Sequence, residues 1–181
     1  MQRKDFIGRI WRGMLALTGF SLLGKSAGAA LPQTAADREA HMKKFKEQWL
    51  STLMTNMESQ IDEKKRTALM ESCGRACARR SSLHPAAVAA KGDPAKLVQS
   101  LAKALGKENA VLEGGVVRLT YPKCYCELVA DGPARFPDAY CCCSQGWVRE
   151  MFDTAAGKAV SVQTVQTIKR GADCCKFLIK L

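Results

Sequence analysis

Nine cysteines in 181 residues carry most of the chemistry this sequence can offer. Cys73 and Cys77 stand four apart in a segment of helical periodicity, so their thiols share a face. Cys124 and Cys126 are two apart at the head of a strand-like run, Tyr125 to Ala130, and also share a face. Cys141, Cys142 and Cys143 are consecutive, just ahead of an expected helix N-terminus whose positive end favours thiolate. Cys174 and Cys175 open the last expected strand and point to opposite faces. Soft thiolates suit zinc, copper(I) or an iron–sulfur cluster. A tetrahedral site needs four sulfurs about 2.3 Å from the metal, and the helical pair plus the strand pair can supply them. Disulfides are the alternative, and an odd number of cysteines then leaves one thiol unpaired. Cysteine also behaves as a small core residue, a role open to Cys174 and to Cys141 or Cys143.

Other chemistry is sparse. His41 lies on a charged helical segment, and His84 precedes Pro85 in an expected loop. No Ser-His-Asp, paired-carboxylate or phosphate-loop pattern stands out, and Gly114-Gly115 is a turn signal.

The first 30 residues read as a cleavable export signal, leaving a single domain over 31–181. Arg3, Lys4, Arg9 and Arg12 form a basic start. Gly13 to Gly24 is an uncharged, largely apolar run too short to span a bilayer, and Ala27-Gly28-Ala29 offers small residues for cleavage. Arg3-Lys4-Asp5-Phe6-Ile7 resembles the twin-arginine signature with Lys in place of the second arginine, and the general secretory route is the alternative. The expectation is a periplasmic or otherwise extracytoplasmic protein that meets the export machinery. The chain carries +11, of which +7 remains without the first 30 residues. Those basic residues are scattered among acids with no aromatic interleaving, so no nucleic-acid partner is expected.

Several elements must position the thiols. Met42, Phe45, Trp49, Leu53, Met57 and Ile61 form one stripe on a long helix from about Asp37. Asp62-Glu63 restarts a helix whose inward face is Ala68, Leu69, Cys73 and Cys77, ending near Arg80 in a Ser-Ser-Leu-His-Pro loop. Asp93-Pro94 starts a helix with Leu97, Val98, Leu101 and Leu105 on its core face. Residues 110–113 and 116–119 form a hairpin around the paired glycines. Residues 131–138 read as a loop, and Ser144 caps a helix closed by Gly157. Ala159 to Ile168 and Cys175 to Leu181 are strands. Helices first, then an antiparallel sheet interrupted by one helix, make an α+β domain.

From Cys141-Cys142-Cys143-Ser144-Gln145-Gly146-Trp147 to Gly171-Ala172-Asp173-Cys174-Cys175-Lys176-Phe177, the last third resembles the 4-vinyl reductase domain. It is also similar to L-2-amino-thiazoline-4-carboxylic acid hydrolase-like proteins and to uncharacterised cysteine-rich bacterial families. The resemblance implies N-terminal helices packed on an antiparallel sheet, with a site for a small ligand. Sensor members of the family bind aromatic compounds and hold a structural zinc. Cys142 and Cys175 fall at two of its ligand positions, while Gln163 and Thr167 stand near the others. A metal here therefore calls on Cys73, Cys77, Cys124 or Cys126 as well, as a zinc or iron–sulfur site. The first expectation is a binding module for a metal ion or small-molecule ligand, with Tyr121, Tyr125 and Trp147 at an apolar pocket. The second is a C–N hydrolase with Cys142 or Cys143 as nucleophile. The third is a disulfide-stabilised interaction domain.

Overall fold

The computed structural model describes residues 34–126 and 137–181. The export signal, most of the expected strand after Cys124 and most of the loop expected over 131–138 lie outside the described residues.

Two long helices come first. Helix α1 spans Ala35–Gln60. Thr34 and Asp37 cap it reciprocally, the Thr34 hydroxyl accepting from the Asp37 amide and the Asp37 carboxylate accepting from the Thr34 amide. Asp62 caps α2, Glu63–Arg80, by accepting from the Lys65 amide. Between them, the Arg66 guanidinium donates to the Glu58 and Ile61 carbonyls, which the end of α1 leaves without helical partners. The expected stripe on α1 divides. Met54 and Met57 are buried, with Leu50, Leu53 and Ile61 packed against them. Met42, Phe45 and Trp49 are exposed, because the first half of α1 has nothing of the described chain against that face.

A short helix α3, His84–Ala89, follows. It corrects the expected loop: His84 and Pro85 open a helix rather than a turn, since proline at a first helical position forfeits no hydrogen bond. Helix α4, Pro94–Leu105, begins at Asp93-Pro94, where the sequence placed it, and ends at Gly106. The hairpin also follows the sequence. Strands β1, Ala110–Glu113, and β2, Val116–Tyr121, pair around Gly114 and Gly115, whose φ of 55° and 77° suit a tight two-residue turn.

Helix α5, Cys142–Ala156, starts three residues earlier than a Ser144 cap implied. Cys142 and Cys143 are thus inside its first turn, and Cys141 takes the cap position. Strands β3, Ser161–Gln166, and β4, Cys175–Lys180, complete an antiparallel sheet of order β1-β2-β4-β3. One face of the sheet is covered. Val117, Leu119, Val162, Phe177 and Ile179 meet Leu97, Val98 and Leu101 of α4 and Val148, Met151, Phe152 and Ala155 of α5. The chain is therefore α+β, helices on a four-stranded open antiparallel sheet.

Helix α2 departs from its expected orientation. Its buried face is Met70, Gly74 and Ala78, while Ala68, Leu69, Cys73 and Cys77 are exposed. The reason is close approach. A Cβ on Gly74 would collide with the Cys143 carbonyl, and one on Gly146 would collide with the Glu71 carbonyl. The two helices therefore meet backbone to backbone, which only small residues allow, and hydrophobicity alone does not mark that face.

At 100° per residue, Gly74 has two distinct shoulders. On one, Glu71, Arg75 and Arg79 pair with α5: Arg75 reaches Glu150 at 2.9 Å and Asp153 at 2.8 Å, Arg79 reaches Glu150 at 2.8 Å, and Arg149 reaches Glu71 at 2.7 Å. Gln145 extends this network to the sheet, donating to Glu71 and accepting from the Thr164 hydroxyl. The other shoulder carries Cys73 and Cys77.

The sign of one substitution tests this contact. In an open helix Gly→Ala stabilises by up to about 1 kcal/mol. Gly74→Ala is expected to destabilise instead, by about 1–3 kcal/mol, because it overpacks a backbone contact. Urea unfolding of the variant checks this, and a gain in stability would mean the helices are further apart.

Candidate thiol site

The loop after β2, the cap and first turn of α5, the second shoulder of α2 and the start of β4 bring cysteines to one region. Cys143 is its centre. Its thiol is pushed up to about 12, first by burial and then by the neighbouring sulfurs of Cys126, Cys77, Cys73 and Cys141. Cys141, fully buried, forms the link to a second group. Its thiol is also raised, chiefly by burial and further by Cys124 and Cys142. The neighbouring Thr167 hydroxyl and then the Arg170 charge partly offset this. Cys175 is raised by burial, eased by the Ile168 amide donating to its sulfur at 3.4 Å, and raised again by Cys141, Cys124 and Cys174. The Gln166 amide donates to the Cys174 sulfur at 3.3 Å and to its carbonyl at 3.2 Å.

These electrostatic couplings sort the thiols into two overlapping quartets, Cys73, Cys77, Cys126 and Cys143, and Cys124, Cys141, Cys174 and Cys175, joined through Cys141 and through Tyr140, on which Cys124, Cys126 and Cys143 all bear. All nine cysteines are free thiols. Among the described residues, no three Cys, His, Asp or Glu side chains already stand in a metal-holding arrangement.

Several expected site residues take different company. Cys73, Cys77 and Cys126 bear electrostatically on Cys143, and Cys142 packs with Cys124, Cys126 and Cys143 against one small core. Cys142 turns toward the Thr67 hydroxyl of α2, 3.9 Å away. Cys124 and Cys126 lie in irregular chain after β2, so the shared strand face does not hold; both still pack against one small core and bear on the Tyr140 phenol. The dipole argument for thiolate at the head of α5 is corrected for Cys141 and Cys143. Burial outweighs it, and both thiols are harder to ionise than usual. Sequence reasoning left Cys143 out of the metal set. The signal was Gly146, one turn further on, whose pairing with Gly74 carries Cys143 toward α2.

The three expected ligand-binding aromatics do gather. Tyr121 is edge-on to Tyr125 with centroids 5.6 Å apart, to Trp147 at 6.5 Å and to Phe177 at 5.2 Å. Tyr121 is paired across the sheet with Cys175, and its phenol is held in the neutral form by burial, Cys175 and Tyr125. Tyr125 is exposed, with the Lys123 ammonium over its ring. Beside the first quartet, the Tyr140 hydroxyl is 3.1 Å from the Cys126 sulfur, and burial followed by that bond keeps the phenol protonated. His41 is exposed, and His84 is half-buried at the start of α3. No helix among the described residues is long and apolar enough to cross a membrane.

A family model described as a family of unknown function (DUF6144) matches residues 29–181, and the chain belongs to that family. No curated protein matches it.

Thiol exposure sets an order of alkylation. Iodoacetamide at pH 8 is expected to modify Cys73 and Cys77 first and Cys141, Cys143 and Cys175 last. For Cys143, a thiol near 12 leaves roughly one thiolate in ten thousand at that pH. Time-resolved peptide mass spectrometry reads the order; early labelling of Cys143 would contradict its burial.

Proposed function

We propose that this protein is an exported binding module that takes a soft metal ion on converging cysteines. The observation that carries this reading is the environment of Cys143, which packs with Cys124, Cys126 and Cys142 against one small core and lies within electrostatic reach of Cys77 and Cys73. Four thiols drawn together into a partly buried region repel one another once ionised and need a cation to offset that repulsion. Their chemistry fits zinc or an iron–sulfur cluster, and copper(I) equally. Each cysteine has a single χ1, and a change between staggered wells re-aims its sulfur without moving the backbone. A bound metal would supply the positive charge, and each thiol that joins it would give its proton to solvent.

The aromatic group of Tyr121, Tyr125 and Trp147 offers a small apolar ligand a place beside the second quartet. The finer fold reading, a 4-vinyl reductase-like arrangement, rests on the order of a Gly146-Trp147 helix followed by two paired strands with Cys175 on the second. The hydrolase alternative needs a ready thiolate and a base, and the raised Cys143 thiol speaks against that position as nucleophile. Export is supported by a family match that starts at residue 29, beside the small residues of the expected cleavage site.

Titration of the reduced protein with Cd(II) tests the metal reading through the ultraviolet sulfur-to-cadmium charge-transfer band. The band is expected to saturate at a defined stoichiometry and to weaken in Cys77→Ser and Cys143→Ser. No band, or a band unchanged in both variants, would overturn the reading. Export predicts that the chain is shortened near residue 30 and recovered outside the cytoplasm, and that Arg3→Gln with Lys4→Gln retains the full-length form. Fractionation with N-terminal sequencing decides, and an unprocessed cytoplasmic wild type would contradict it.

A further inference from the structure

The thiols do not stand alone. A small core, separate from the one under the sheet, consists of Met54, Met57, Met70 and Tyr140, with Cys124, Cys126, Cys142 and Cys143 packed against it beside Leu50, Leu53 and Ile61. Its three methionines are 4%, 8% and 6% exposed. The larger core, built from Leu, Val, Ala, Phe and Ile with Cys175 at its edge, contains one methionine, Met151. Thioethers are therefore segregated to the side of the molecule that holds the thiols. They come from two directions: Met54 and Met57 sit one turn apart on α1, and Met70 sits on α2 one turn before Gly74.

Methionine fills irregular gaps well, and packing alone is one explanation for its use here. The donor chemistry separates the two roles. Zinc draws its ligands from thiolate, imidazole and carboxylate. A thioether is a neutral, soft donor that favours copper(I), as thiolate does. A mixed thiol–thioether lining therefore discriminates between soft ions in a way a pure cysteine site does not.

We infer that the metal this site takes is copper(I), held by Cys126 and Cys143 with one or two thioether sulfurs from among Met54, Met57 and Met70 completing its coordination. This rests on the soft-metal reading above and narrows it to one ion. Copper enters and stays as Cu(I), so no electron is transferred. Each bound thiol releases one proton to solvent, and each thioether binds without proton loss. Tyr140, hydrogen-bonded to Cys126 and packed on the methionines, holds that sulfur on the thioether side.

The test uses the reduced full-length chain without oxygen. Cu(I) is presented in a chromophoric bicinchoninate complex, and Cd(II) is titrated in parallel. The wild type is expected to withdraw Cu(I) from the competitor. The volume-conserving variant Met54→Leu/Met57→Leu/Met70→Leu is expected to lose at least about tenfold in Cu(I) affinity, in the range seen when a metal site loses supporting groups, with Cd(II) affinity unchanged. Cadmium binding with Cu(I) affinity insensitive to the methionines would overturn the copper inference and leave the soft-metal reading standing. Binding of neither ion would overturn both. A measurement on the wild type avoids dependence on the folding of the variant. With methyl-labelled methionine, Cu(I) is expected to shift the methyl resonances of Met54, Met57 or Met70 and leave Met151 in place, and an absence of any such shift contradicts the inference.

Discussion

At Gly74 and Gly146 two helices touch through their backbones, and the positions of most functional groups follow from that contact. Each glycine lies against a carbonyl of the opposite helix, with no room for a methyl group on either side. Such an approach fixes the rotation of α2 about its own axis. With Met70, Gly74 and Ala78 turned inward, the polar shoulder of Glu71, Arg75 and Arg79 meets Arg149, Glu150 and Asp153, and the opposite shoulder presents Cys73 and Cys77 toward Cys143. The ion pairs act as a register device on one side of the contact. Glu150 illustrates the balance: burial alone would raise its carboxyl, but Arg79 and Arg75 hold it below the ordinary value. That stabilisation is complete above the usual carboxylate range and is lost as pH falls through the lowered value.

The thiol side works by a different balance. Sulfurs brought together in a dry place raise one another's cost of ionisation, so in the metal-free protein Cys141, Cys143 and Cys175 are held as neutral thiols. Neutral thiols pack as small apolar groups, which is how Cys141 and Cys175 lie buried. The same arrangement makes ionisation and cation binding a single coupled event on our proposal. Cys141 has a particular place in it, since it acts on Cys143 on one side and on Cys175 on the other.

Local signals in the sequence located the elements well. Asp62, Asp93-Pro94, Gly106, Gly114-Gly115 and Gly157 each stand at a helix or hairpin end, because caps, prolines and glycines act on their immediate neighbours. The alternation of Val160 and Val162, and of Phe177 and Ile179, correctly marked the core side of the sheet. What failed was orientation set by distant partners. Hydrophobicity turned α2 toward Leu69 and Cys73, whereas the buried ridge contains Gly74, which no apolar scale weights. The stripe from Met42 to Ile61 lies on one long helix as expected, and only its second half is covered. That thiols from separate segments gather was legible as pairs, but the grouping was not. Cys143 is carried toward α2 by the glycine contact, and Cys124 and Cys126 meet Cys142 and Cys143 at one small core although the chain after Tyr121 leaves the strand geometry.

The central claim is that thiols of α2, the loop after β2 and the head of α5 share one site. A short bifunctional thiol reagent applied to the reduced protein under dilute, monomeric conditions tests it, with the bridged peptides identified by mass spectrometry. Bridges from Cys73 or Cys77 to Cys143 or Cys126 are the predicted products. Bridges confined to sequence neighbours, such as Cys141 to Cys142 or Cys174 to Cys175, would contradict the account.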